Sequence, residues 1–249
     1  VVALAGTHGI KNSPTVDLSV NFINGINQHF IGEALMSVIS QFESYLPKDL
    51  LNALHGLKSP FLIQQYLDSM PYKAEARDRS PLNVILDKQC HCLDGGFLAA
   101  LLLWKSGFKP LVLDLVPAPG MDDDHVLAVY QINGRWGAVA KSNYVNLGFR
   151  EAVYKNLREL VMTYFEHFAS IHQVKTLRGY TRPFDLSKFP LTDWAWNEDS
   201  AQKLYKKFYS RKAIPLISKQ MEKRLSLVTD RNYAAEIMYT DLNESFGNR

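Results

Sequence analysis

The chain has 249 residues, of which 47% are hydrophobic and 21% charged, with a formal net charge of +3 at pH 7. That is ample for a packed core in one elaborated domain or two small ones, and it excludes a disordered or strongly polyanion-seeking chain. No apolar run reaches the length that spans a bilayer, and two cysteines one residue apart do not make a secreted disulfide framework, so reduced thiols and a cytoplasmic location are expected.

The chain opens on Val1, and Ala3-Leu4-Ala5 has the small-x-small look of a signal cleavage site. No charged or apolar region precedes it, so export is the minor alternative. Residues 1–16 read as irregular. From Leu18 to about Tyr45, apolar residues such as Phe22, Ile26, Phe30, Val38 and Phe42 recur at helical spacing, with breaks expected at Gly25 and Gly32. Pro47 stops that run. Leu50 to Leu57 predicts a short helix, and Ser59-Pro60 opens another with Leu62, Ile63, Tyr66, Leu67 and Met70 along one side. Residues 72–80 are charged and predict a loop. Ser80-Pro81 starts a helix that runs to Lys88.

Cys90-His91-Cys92-Leu93-Asp94-Gly95-Gly96 then runs into an apolar helix over 92–106, which Gly107 closes in the left-handed conformation. After it the pattern changes to strands. Residues 110–116 predict one, 117–124 a loop, and His125–Ile132 a central strand that is apolar on both faces. Asn133-Gly134 is a hairpin turn, and 135–140 return antiparallel. A long amphipathic helix is expected over 149–168, and a short strand at 175–178. Helices are expected at 199–209 and 217–228, with Phe189, Trp194 and Trp196 as loop anchors. Lysines and arginines at 203–224 read as a solvated helix face rather than a nucleic-acid surface. There are no repeats and no glycine-rich phosphate loop.

A thiol at a helix start lies where free backbone N–H groups and the helix dipole favour an anion. Gly95, Gly96, Ala99 and Ala100 line the same face as Cys92, so another layer can approach it closely. The bland reading makes Cys92 a small buried hydrophobe. His125 stands where a polar loop becomes a strand; its bland reading is a loop histidine near Asp122–Asp124. With a two-residue turn at Asn133-Gly134, Ile132 opposes Arg135, which sets His125 opposite Ser142 and Leu127 opposite Ala140. Strict pairing turns Asn143 to the other face, and a bulge near Gly137 brings it round. Ser142 and Asn143 are therefore the polar candidates to orient the ring.

Cys92-Leu-Asp94 with Gly107-Phe-Lys-Pro110, then His125-Val-Leu-Ala-Val-Tyr and Asn133-Gly-Arg-Trp136, resembles the transglutaminase-like superfamily of cysteine enzymes. The likeness covers residues 90–143, and Lys141-Ser-Asn143 with Arg150-Glu-Ala-Val-Tyr154 points to a bacterial branch. It implies an α+β, papain-like core in which the Cys-bearing helix packs on a small antiparallel sheet. In a single elaborated domain over 1–249, residues 1–80 are then a helical N-terminal region, 81–180 the core and 181–249 a C-terminal helical extension. Alignment on Gly107 selects Cys92 over Cys90. The resemblance implies Cys92 as nucleophile and His125 as base, with Asn143, or else Ser142, as third member. Acyl transfer or hydrolysis at amide bonds would proceed through a thioester, as in a protease, deamidase or transglutaminase. The backbone N–H of Cys92, aided by Gln89, would hold the oxyanion. The family's Asp falls on Ala140 and its Arg on Trp104. A catalytically silent fold used as a protein-binding or scaffold module is the alternative.

A protein or peptide substrate is expected, with no nucleic acid, membrane, cofactor or metal; the sequence assigns no oligomeric state. A zinc site drawn from Cys90, His91, Cys92, His125 and Asp122–Asp124 is disfavoured by the one-residue cysteine spacing. A calcium site at Asp122–Asp124 lacks the ligand loop it would need, and that run reads as a solvated loop shaping the approach to His125.

Overall fold

The structure, a computed structural model, describes residues 36–245. The irregular stretch 1–16 and the greater part of the helical run expected from Leu18 lie outside the described residues. The elements named below belong to one compact unit that begins at Val38.

The fold is α+β. Two short helices, α1 (Lys48–His55) and α2 (Pro60–Asp68), lead to α3 (Pro81–Asp87) and α4 (Cys92–Lys105). Serines at 59 and 80 cap α2 and α3, each followed by a proline in the first turn. All but the last two of the fourteen residues of α4 are buried. Such an all-round apolar helix belongs inside a protein. Gly107 ends its C-terminal turn at φ 89°, and Phe108 N–H returns to Leu103 O at 2.9 Å.

Beyond α4 the chain builds an antiparallel sheet of seven strands among the described residues. They are β1 (Leu111–Pro117), β2 (His125–Ile132), β3 (Arg135–Val139), β4 (Arg150–Tyr154), β5 (Leu177–Tyr180), β6 (Phe184–Asp185) and β7 (Ile214–Pro215). The order is β4-β3-β2-β1-β5-β7, with β6 also pairing β1. The hairpin register is the expected one. Ile132 opposes Arg135 and Ala128 opposes Val139, with Asn133 and Gly134 at positive φ in the turn. The irregularity near Gly137 lies between β3 and β4, not between β2 and β3.

Each face of this sheet carries its own core. On one side Gly96 of α4 lies so close to β2 that an added Cβ would stand 2.7 Å from Val126 Cγ1. Glycine is thus what lets the helix seat there, as the small-residue face implied. On the other side Leu113, Leu115, Leu127, Val129, Ala138 and Ala140 join Leu160, Val161, Tyr164 and Phe168 in a buried cluster.

That second layer differs from the expected long helix. Residues 150–154 are strand β4, and only Leu157–Met162 form a helix, α5, capped by Asn156. Val153, assigned to the interior by helical spacing, is 60% exposed. Burial at 150–154 alternates residue by residue, so the period is two. β5 begins two residues later than expected, and in the 217–228 stretch only α7 (Lys219–Glu222) is helical.

The C-terminal third is not an appendage. In α6 (Glu198–Tyr209), Tyr205 and Phe208 meet the ring of Phe97 in α4 edge-on, with centroids 4.7 and 5.9 Å apart. Trp194 stacks on Trp104 at 6.4 Å. Such aromatic pairs contribute about 0.5–1.5 kcal/mol each beyond the area they bury. Lys203, Lys206 and Lys207 lie on the exposed side of α6. A last helix, α8 (Asp230–Glu236), leads to the end of the described chain.

Candidate functional site

Cys92 is the first residue of α4, and its N-cap, His91, is extended and offers no side-chain cap. The free N–H groups of the first turn therefore lack a side-chain partner from the cap. The thiol is 8% exposed, and its S–H donates to Asp124 O at 3.7 Å. The sulfur thus sits beside the chain just before β2. Cys90 is fully buried, and burial pushes its thiol up to about 12, out of reach of neutral-pH chemistry.

His91, the residue before Cys92, is the imidazole whose pKa the Cys92 side chain helps to raise. Its Nε2 lies 3.4 Å from Asp78 Oδ1 and 3.4 Å from Asp94 Oδ1. Burial opposes a charge on this ring. The Asp78 carboxylate, the hydrogen-bonding contact with the Cys92 sulfur and the Asp94 charge outweigh it, so His91 is raised to about 11 and is an imidazolium at neutral pH. Asp94 is fully buried and accepts from Arg79 N–H at 2.8 Å. Burial raises it to about 7, against the pull of His91 and of the Arg79 amide. The side chain of Arg79 is 3% exposed and is held by Asp87 and Glu75. The charged segment 72–80 is the expected loop, and Arg79 and Ser80 within it are buried.

A pair of acids stands on the same side of the sheet. Asp114 lies opposite Val126, two residues after Asp124, which just precedes β2, and both carboxylates have a buried oxygen without a hydrogen-bond partner. Burial raises both, Asp114 to about 8, and the neighbouring Asp124 charge and hydrogen bond add to it. The Tyr209 hydroxyl lowers Asp124 in part. Two buried acids this close disfavour each other's ionisation. The acidic run is therefore not simply solvated: Asp124 turns inward, and Asp122 accepts from the Thr176 hydroxyl at 2.6 Å.

His125 is on the other side. Its side chain shares a face with Leu127 and Val129, whereas the Cys92 helix packs on Val126. Its Nε2–H donates to Leu147 O at 2.9 Å, and the ring meets Phe168 edge-on at 6.5 Å. Burial lowers it to about 4, so it is neutral. Among the described residues, Cys92 and His125 are not hydrogen-bonded to each other.

The expected third members are also occupied elsewhere. The Asn143 amide donates to Asp241 O at 2.8 Å and accepts from Asp241 N–H at 3.1 Å. Ser142 Oγ accepts from Tyr144 N–H at 2.9 Å. Ala140, where the resemblance would place an Asp, is fully buried; its N–H donates to Gln64 Oε1 at 3.0 Å and its carbonyl accepts from Gln64 Nε2 at 2.9 Å. The Gln89 amide donates to Glu75 at 3.3 Å.

Two clefts flank this region. One of about 760 Å³ is lined by residues including Gln64, Asp68, Lys141, Asn143 and Arg150. A smaller one of about 40 Å³ is walled by Asp124, His125, Ser142 and Asn143. Sequence reasoning missed the His91–Asp78–Asp94 group. The signal for part of it was present: His91 and Asp94 are three residues apart across a helix start, which sets them on one side.

No family model matches the chain, and no curated protein matches it.

Proposed function

We propose that this chain is a thiol-dependent acyl-transfer enzyme acting on amide bonds, with Cys92 as nucleophile and His91 as its proton partner. The observation that carries the reading is the placement of the Cys92 sulfur at the N-terminus of a buried helix, against an imidazole flanked by two carboxylates. A nucleophile, a base and an orienting acid are recognised by geometry and role, whatever their order in sequence. The reading keeps the papain-like, transglutaminase-like architecture expected from the motif, on an α+β frame with the Cys-bearing helix against an antiparallel sheet. It transfers the imidazole's role from His125 to His91.

In the first step the Cys92 thiol loses its proton to water, and the thiolate, beside the His91 imidazolium, attacks the amide carbonyl. The C–N bond then breaks, His91 gives its proton to the departing amine, and a thioester on Cys92 remains. In the second step water or an amine attacks the thioester. His91 accepts the nucleophile's proton, and the C–S bond breaks to regenerate the pair. Backbone N–H groups of the first turn of α4 face the oxyanion.

A specific observation favours the scaffold alternative. His125, Ser142 and Asn143 are each bonded into the structure away from the thiol. The test is acyl-enzyme trapping. The native protein is mixed with p-nitrophenyl acetate, quenched in acid and mapped by mass. A burst of nitrophenolate with acetyl on Cys92, absent in Cys92→Ser, supports the enzyme. No burst and no acetyl on Cys92 would leave the scaffold reading standing.

A further inference from the structure

We propose that Asp78, His91 and Asp94 form a binding site for one divalent transition-metal cation of the zinc type. The donors are an imidazole nitrogen and two carboxylates, and one atom from each lies within 4.8 Å of the others. The spacing carries the argument. His91 Nε2 stands 3.4 Å from an oxygen of Asp78 and 3.4 Å from an oxygen of Asp94. Two bonds of about 2.1 Å at a tetrahedral angle set their donors about 3.4 Å apart. Direct N–H···O hydrogen bonds are shorter, at about 2.7–3.2 Å.

Two buried atoms in this group have no hydrogen-bond partner. They are His91 Nε2, on a residue 9% exposed, and Asp94 Oδ2, on a residue fully buried. Buried polar atoms without partners are costly and rare in folded proteins. Here they belong to two side chains that converge on one another.

The surroundings suit a cation. Arg79 N–H donates to Asp94 Oδ1 at 2.8 Å and fixes that carboxylate, the kind of outer contact that orients metal ligands. Arg79 Nη1 is 3.9 Å from Asp94 Oδ2, but Arg79 is shared with Asp87 and Glu75, and Arg77 with Asp87 and Glu198. Acids therefore outnumber guanidinium groups around the site. Asp78 is 32% exposed, which gives an ion a route from solvent and leaves a side of the site open. Imidazole with carboxylates suits zinc and its neighbours better than magnesium or calcium, which take oxygen donors alone. A bound cation takes the lone pair of a neutral His91 ring, so an occupied site and the proton transfer proposed for His91 exclude each other, and the inference does not depend on Cys92 being a nucleophile.

The test is calorimetric titration of the metal-stripped full chain with Zn²⁺, with Co²⁺ absorption as a second readout. One saturable equivalent is expected, weakened at least about tenfold in Asp78→Asn and in His91→Gln and retained in Cys92→Ser. The Co²⁺ spectrum should lack a thiolate charge-transfer band. Asp78 is part-exposed, so its variant decides the matter should His91→Gln fail to fold. Absence of saturable binding, binding undiminished in Asp78→Asn, or binding lost in Cys92→Ser would overturn the site. Trapping of an acyl group on Cys92 is read separately, so each proposal can fail alone.

Discussion

The two faces of strand β2 handle their polar groups in opposite ways. On the α4 face, the Cys92 thiol, the His91 ring, Asp94 and the Asp114–Asp124 pair crowd together, and several of their atoms have no hydrogen-bond partner. On the far face, His125 is neutral, bonded to one carbonyl, and lies between Phe168 and a small cleft that it shares with Asp124, Ser142 and Asn143. Reactive chemistry needs groups whose protonation is poised and whose hydrogen bonds are not exhausted. The first face has both properties. The second has the character of a core that has accommodated one polar ring.

Changes to Cys92 and His91 separate the faces most sharply. Cys92→Ser should lower thioester formation by at least about a thousandfold, read as the loss of the acyl burst. His91→Gln should lower it by about a hundredfold, the usual reach of a lost proton partner. His125→Leu should leave the burst intact. Its cost falls on stability, because the Leu147 carbonyl is left without a partner, at about 1–3 kcal/mol in a urea melt.

The pH dependence of stability should run in opposite directions on the two sides. Asp114 is raised from 3.8 to about 8 in the folded chain, so between those values the folded state binds more protons than the unfolded one. Stability contributed by this face therefore falls as pH rises across that window. His125 is lowered from 6.5 to about 4, so the unfolded state binds more protons there, and stability is lost on acidification from 6.5 toward 4. Urea midpoints across pH should show Asp114→Asn reducing the first slope, to which Asp94 also contributes, and His125→Leu removing the second. The same slope in both variants as in the parent would contradict these assignments.

The smallest effect is expected at Asn143. It joins the sheet to the chain after α8 through the Asp241 backbone and Ser245. Asn143→Ala should destabilise by about 1 kcal/mol, as partly exposed hydrogen bonds do, and should leave the acyl burst unchanged. A large loss of burst with a normal melt would return Asn143 to the catalytic group.

Much of this arrangement was legible in the sequence. Asn133-Gly134 set the hairpin and its register, and the apolar run after Cys92 with Gly107 set α4 at nearly its true bounds. What register alone does not set is the face on which the helix sits. Val126 and His125 are adjacent, and the steric partner of Gly96 decided between them. The 149–168 stretch was misread because Val153, Leu157, Leu160 and Val161 fit helical spacing. Asn156, with Glu159 three residues on, marks where the helix starts. The Asp114–Asp124 pair needed the β1–β2 register, which no turn signal between them supplies.

The most direct test of the central claim is the second-order rate of iodoacetamide labelling at Cys92, mapped by mass at neutral pH in the parent, His91→Gln and His125→Leu. The claim that the thiol works with His91 predicts a fall of at least about tenfold in His91→Gln and a change within about twofold in His125→Leu. A fall in His125→Leu with His91→Gln unchanged would contradict it and restore the pairing across the strand.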